Sequence, residues 1–134
     1  MATRFITTDT IGTGIIAPIS LAEGDGALIA QGITLGATDY AALYGVDSYH
    51  RVMVLGTVYG GTYGMLLGDS PTFNTGQRVL VGASGVVGAI SNAVALYGSN
   101  SSVTNHGLIS GGTTAVLRGH RGKRHTFHPR WCRR

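Results

Sequence analysis

Gly107-Leu-Ile-Ser-Gly-Gly-Thr-Thr-Ala-Val-Leu-Arg-Gly119 holds two short apolar or β-branched runs, a Gly-Gly break between them, and a glycine at each end. The pattern recurs upstream in Gly32-Ile-Thr-Leu-Gly-Ala-Thr-Asp-Tyr-Ala-Ala-Leu-Tyr-Gly45, in Gly56-Thr-Val-Tyr-Gly-Gly-Thr-Tyr-Gly-Met-Leu-Leu-Gly68 and in Gly85-Val-Val-Gly-Ala-Ile-Ser-Asn-Ala-Val-Ala-Leu-Tyr-Gly98. Each copy is preceded by a further run: Ala27–Ala30, Val52–Leu55, Val79–Val81 and Ser102–Thr104. Loops such as Asp69–Gly76 absorb the differences in spacing. Internal copies of this size are the mark of a repeat architecture.

Two or three short strands per copy, with glycine at the corners, fit a coil of roughly 25 residues in which each strand pairs with its equivalent one coil away. Corner glycines supply positive φ and let one backbone lie close on another. A helical fold is excluded, because glycine recurs every few residues and costs about 1 kcal/mol at each helix-interior position. A β-sandwich would show no aligned copies. The expectation is therefore all-β: a short, right-handed parallel β-solenoid of about four coils. Residues 27–117 are its repeats, and residues 1–26, with Ile15, Ile16, Ile19 and Leu21 around Pro18, are an N-terminal cap or first irregular coil. Gly32, Gly56, Gly85 and Gly107 should form a column.

Composition agrees. Glycine makes up 22 of 134 residues without a Gly-X-Y period, which excludes collagen, and 43% hydrophobic content is too high for a disordered linker. The net charge of +4 hides two unlike parts. All six acids but only Arg4, Arg51 and Arg78 of the ten cations lie in residues 1–117. Residues 118–134 hold the other seven cations, with the single Lys, Trp and Cys and three of five histidines. They are expected to be a basic, disordered tail outside the solenoid. The abrupt change suggests a shifted reading frame, and hence an N-terminal fragment of a longer protein. A lone Cys132 allows no disulfide within the chain. No secretory signal peptide opens the sequence, and no apolar run reaches the length of a membrane helix.

Thr104-Asn-His-Gly-Leu-Ile-Ser-Gly-Gly-Thr-Thr-Ala-Val116 resembles the Asn-x-Gly-x-Ile-x-Gly-Gly-x-x-Ala-Val units of bacterial secreted β-helix proteins, both hemolysin-type (RTX-like) calcium-binding proteins and autotransporter-adhesin passenger domains. The likeness covers about residues 15–117, with Pro18, Ala27–Gly32 and Ser99–His106 in the same style. It implies an extracellular destination by a route without an N-terminal signal. The calcium-binding nonapeptide Gly-Gly-x-Gly-x-Asp-x-apolar-x is absent, however: Gly60-Gly61 leads into Thr-Tyr-Gly and Gly111-Gly112 into Thr-Thr-Ala. No calcium ligand or other cofactor is therefore assigned.

Asp25, Asp39, Asp47 and Asp69 each sit in a turn. Converging on one cleft, they would suit a weak cation site or a polysaccharide-cleaving carboxylate pair. Apart, they would cap turns by accepting backbone N–H groups. Tyr44 and Tyr97, taken as equivalents in their copies, could form a sugar platform, or stack across coils with Tyr40, Tyr49, Tyr59 and Tyr63. His50 and His106 stand isolated, and no nucleophile–His–Asp set or phosphate loop can be assigned. His120, His125, His128 and Cys132 match no established zinc spacing. The expected function is non-enzymatic: a structural, surface-binding module of a secreted hemolysin-type or adhesin-like protein, self-associating through an open solenoid end. The alternatives are a polysaccharide-binding or polysaccharide-active β-helix using the turn aspartates, and nucleic-acid binding through the basic tail.

Overall fold

A computed structural model describes residues 3–14, 17–69, 74–119, 126–128 and 132–133. The chain is all-β and winds as a parallel β-solenoid. The first coil is β1 (Thr3–Ile6), β2 (Thr10–Gly12) and β3 (Ile19–Leu21), and the second β4 (Gly26–Ile29), β5 (Thr34–Ala37) and β6 (Ala41–Gly45). The third is β7 (Arg51–Val54), β8 (Thr57–Gly60) and β9 (Tyr63–Leu67), and the fourth β10 (Arg78–Val81), β11 (Val86–Ala89) and β12 (Asn92–Tyr97). The fifth is β13 (Ser102–Asn105), β14 (Leu108–Gly111) and β15 (Thr114–Gly119), followed by β16 (Thr126–His128) and β17 (Cys132–Arg133). Equivalent strands form three parallel sheets in the orders β1-β4-β7-β10-β13-β16, β2-β5-β8-β11-β14-β17 and β3-β6-β9-β12-β15.

The parallel β-solenoid expected from the repeats is present, with about five coils, since β1, β2 and β3 form a first coil in register with the second: Thr3 pairs with Gly26, Thr10 with Leu35, Ile19 with Leu43. The strand signal there is weak because the runs are short and polar at their starts. The described residues of 118–134 lie in the ladders, with Arg118 opposite Leu96, Val103 opposite Phe127 and Ile109 opposite Cys132. The rest of residues 118–134 lies outside the described residues.

The core follows from the alternation of strand side chains. In the first sheet Ala27, Val52, Val79 and Val103 form one inward column, and Ile29, Val54 and Val81 the next. The second sheet contributes Leu35, Val58, Val87 and Ile109, and the third Leu43, Met65 and Val94 with Leu67 and Leu96. All are buried. Each such side chain contributes about 1.5–3 kcal/mol on leaving water, and like stacks on like because parallel register repeats the same space in every coil.

The first corner, between first and second sheets, explains the leading glycines. Four-residue turns at 30–33 and 82–85 alternate with two-residue turns at 55–56 and 106–107. Each short corner nests on a long one: a Cβ on Gly56 would run into the carbonyl oxygens of Ala30 and Ile33, and one on Gly107 into those of Gly82 and Gly85. Gly56, Gly85 and Gly107 do form a column, but register puts Ile33, not Gly32, in the second coil's place. Gly32 is a turn residue with φ +81° and open space around it.

These two glycine roles predict different costs. Gly56→Ala forces backbone apart and should lose about 1–3 kcal/mol or more, as overpacking does. Gly32→Ala meets no atom and should lose only about 1–2 kcal/mol for its left-handed backbone. Denaturant unfolding of both variants measures the difference; equal losses would contradict the nested corner.

Candidate functional site

The third corner, where the third sheet returns to the first, carries the polar chemistry of the molecule. Register places Asp25, His50, Gln77 and Ser101 immediately before strands β4, β7, β10 and β13, one above another. His50, Gln77 and Ser101 are buried there together with Ser48 and Asn74. The His50 N–H donates to Gln77 Oε1 (3.2 Å), Gln77 Nε2 donates to the Asp47 carbonyl (2.8 Å), and the Gln77 N–H donates to Ser101 Oγ (3.2 Å). Ser101 Oγ in turn donates to the Gly98 carbonyl (3.2 Å), and the Thr75 N–H to Ser48 Oγ (3.0 Å). His50 Nδ1 lies 2.9 Å from the Asp25 carbonyl oxygen and Nε2 2.6 Å from that of Val46. Carbonyls only accept, so both contacts are hydrogen bonds when both ring nitrogens carry hydrogen. The sequence reading left His50 isolated. Its partners are main-chain atoms and a glutamine one coil on, which no local motif shows.

The structure sets Asp39 apart from the other three turn aspartates. Asp39 lies at the corner between second and third sheets, where Oδ2 accepts the Gly14 N–H at 2.8 Å. Asp25, Asp47 and Asp69 lie at the third corner, and Asp69 Oδ1 accepts the Asp47 N–H at 3.3 Å. At the first corner Asp9 Oδ1 accepts the Thr34 N–H at 2.8 Å. Each of these bonds joins neighbouring coils, the turn-capping role that aspartate serves well. Among the described residues, no three His, Cys, Asp or Glu side chains converge as metal ligands would, and no helix is long and apolar enough to cross a membrane.

Tyr44 and Tyr97 share the outer face of the third sheet but are not equivalents. Tyr44 pairs with Leu66, which is followed in its column by Ala95, so Tyr97 lies two residues further along and two coils away. With Tyr40 and Tyr63 they cover Ala41, Leu66 and Ala95, which are buried despite facing outward. Tyr40 and Tyr63 meet edge to face, ring centroids 5.8 Å apart. Burial pushes the Tyr44 hydroxyl above its ordinary value, with the nearby Asp69 carboxylate adding to it. Tyr63 is raised by burial, by the charge Tyr97 would carry, and by the hydrogen bond it shares with Tyr97.

The outer face of the first sheet is open instead. Arg51 and Arg78 are directly paired on β7 and β10, both exposed, and Gly26 and Ser102 continue their column. The neighbouring outward column is Phe5, Leu28, Met53, Leu80 and Thr104. Together they line a shallow groove of about 570 Å³. An adjoining hollow runs from Arg51 and Arg78 to Tyr49 and Asn100. Tyr49 (φ 66°) and Asn100 (φ 57°) are in the left-handed region. For Tyr49, a bulky residue, this backbone costs about 1–3 kcal/mol and persists only where its surroundings enforce it. The Tyr49 N–H donates to the Thr75 carbonyl at 3.0 Å, and its ring lies against Gly76, whose absent Cβ leaves the room. The arginines went unassigned in the sequence, although Arg51-Val-Met-Val54 and Arg78-Val-Leu-Val81 carry the signal as two copies of one strand.

Gln77→Leu removes the acceptor of the His50 N–H and the donor to the Asp47 carbonyl. A buried N–H and a part-buried carbonyl left unpaired should cost about 1–3 kcal/mol in urea unfolding; a loss under about 0.5 kcal/mol would refute the network. The raised tyrosines predict a pH effect. Their stabilising share is complete below about pH 10, the unfolded value, and is lost as pH climbs through the higher folded values. Alkaline unfolding followed by circular dichroism should be blunted in a Tyr44→Phe/Tyr63→Phe variant, and an unchanged profile would count against the buried hydroxyls.

No protein-family model, curated protein or solved structure matches this chain. What the geometry establishes is a parallel β-solenoid with a polar corner and one open, cationic and apolar face.

Proposed function

We propose that this chain is a structural, surface-binding module of a secreted β-helical protein of the hemolysin-type or adhesin-like kind, and that it acts by presenting a face to a polysaccharide or cell surface rather than by catalysis. The observation that carries this reading is the contrast between two outer faces. Tyrosines cover the third sheet, whereas the first sheet leaves Phe5 67% and Met53 36% exposed beside two arginines. A contiguous apolar strip bordered by polar groups is the usual form of an interaction site. The reading is favoured over hydrolysis because Asp39 and Asp69 already accept backbone hydrogen bonds between coils. Self-association through a solenoid end belongs to the same proposal, since an end coil has unpaired strand edges.

The purified chain should bind saturably to one or more matrices in a panel of polysaccharides and intact cells, without releasing reducing ends. Sedimentation equilibrium should show concentration-dependent association. Sugar release from a bound matrix would replace this reading with the enzymatic one, and absence of binding across the panel would end it.

A further inference from the structure

The open face has a chemistry specific enough to name its ligand. Arg51 and Arg78 are register partners on adjacent strands, about 4.8 Å apart along the solenoid axis. Like charges placed directly opposite one another repel. Yet among the described residues neither guanidinium has a hydrogen-bond or salt-bridge partner, although Glu23 and Asp25 occupy a nearby turn. The pair is thus left to meet an anion from outside, and a guanidinium fork matches a carboxylate in two parallel hydrogen bonds.

Three further features narrow the anion. The cations stand beside an apolar column, Leu28, Met53 and Leu80, so the ligand has an apolar surface next to its charge. Tyr49, 56% exposed, sits at the other side of the same arginines. Its ring is held in advance by a strained backbone, the Thr75 hydrogen bond and the bare Gly76. Finally, the face is a parallel sheet whose strands, and with them Arg51 and Arg78, are spaced by one coil. A pyranose chain meets all three requirements: its rings expose C–H faces to aromatic and aliphatic side chains, its units repeat at a length similar to the strand spacing, and a uronic acid unit carries an equatorial-edge carboxylate at neutral pH. A single-stranded nucleic acid offers phosphates and base faces of its own, and binding of an oligonucleotide through these two arginines would overturn the choice of ligand.

We infer that Tyr49, Arg51 and Arg78 form a binding subsite for a uronic-acid polysaccharide, with the arginine pair on one carboxylate and the Tyr49 ring against a sugar face. This rests on the surface-binding reading above and adds the ligand class to it.

The test uses the full chain and calorimetric titration with oligogalacturonate, a neutral galactose oligomer and dextran sulfate. The basic tail attracts any polyanion, so two variants with equal charge loss are compared: Arg51→Gln/Arg78→Gln, and Arg130→Gln/Arg134→Gln in the tail. Oligogalacturonate should bind the parent chain at least tenfold more tightly than the neutral oligomer. The groove variant should lose at least tenfold, and the tail variant less than threefold. Tyr49→Ala should weaken binding severalfold at unchanged salt dependence. As a check that needs no variant, bound oligogalacturonate should protect Arg51 and Arg78 from dicarbonyl labelling while tail arginines stay reactive.

Equal losses in the two double variants, tighter binding of dextran sulfate that the groove variant leaves intact, or labelling of Arg51 and Arg78 despite bound ligand would each overturn the subsite. Binding of the neutral oligomer alone would overturn it too, while leaving the surface-binding module standing. Failure of every polysaccharide and cell surface would remove both.

Discussion

Between the two end coils, each described strand hydrogen-bonds to the strand one coil before and one coil after it, in register and in parallel. That ladder holds the molecule together and constrains everything else in it. A residue cannot be chosen for its own coil alone, because its column neighbours lie about 4.8 Å away. Val52, Val79 and Val103 stack because a cavity shaped for valine repeats at each level. Corners feel the constraint most. There the chain bends sharply while the coil above presses on it, so Gly107 exists to let its backbone rest on the carbonyls of Gly82 and Gly85.

The same stacking makes a buried polar column feasible. A lone histidine in an apolar interior would leave its nitrogens unpaired at a cost of a few kcal/mol. Here the preceding turn delivers the Asp25 carbonyl, the coil's own turn delivers that of Val46, and the next coil supplies Gln77. Polar groups recur at one level per coil, each completing its neighbour. The third corner can therefore hold long, irregular turns, and their strained residues, Asp47, Tyr49 and Asn100, cluster there. The open face of the first sheet begins at this corner, where the Tyr49 backbone is held by its hydrogen bond to the Thr75 carbonyl.

The repeats were legible because glycine spacing and apolar runs report directly on a repeating backbone. Parallel solenoid, corner glycines and strand-by-strand equivalence all follow from them. Gly32 misled by one residue, since a four-residue turn and a two-residue turn both carry glycine and only register separates them. The sequence left a cap or a first irregular coil open for residues 1–26 because Thr3-Arg-Phe-Ile6 and Thr10-Ile-Gly12 are short and partly polar, and pairing with the second coil supplies what their composition lacks. Tyr44 and Tyr97 looked equivalent because each ends a run before glycine, yet the strand β12 is longer than β6 and shifts the count by two.

The sequence by itself determined the period, the all-β character and the placement of the aspartates in turns, because these depend on local propensity and on spacing along the chain. It also held the doubled Arg-Val-x-Val strand, though not its meaning. Tertiary structure alone decided which faces are covered and which are free. Tyr40, Tyr44, Tyr63 and Tyr97 come from three coils to shield one sheet, and Tyr49 swings to the side of Arg51 and Arg78 through a backbone conformation that sequence does not announce. The reason is physical: the sign of φ at a turn and the register between coils are set by contacts some 25 residues apart, and those contacts exist only once the coils have stacked.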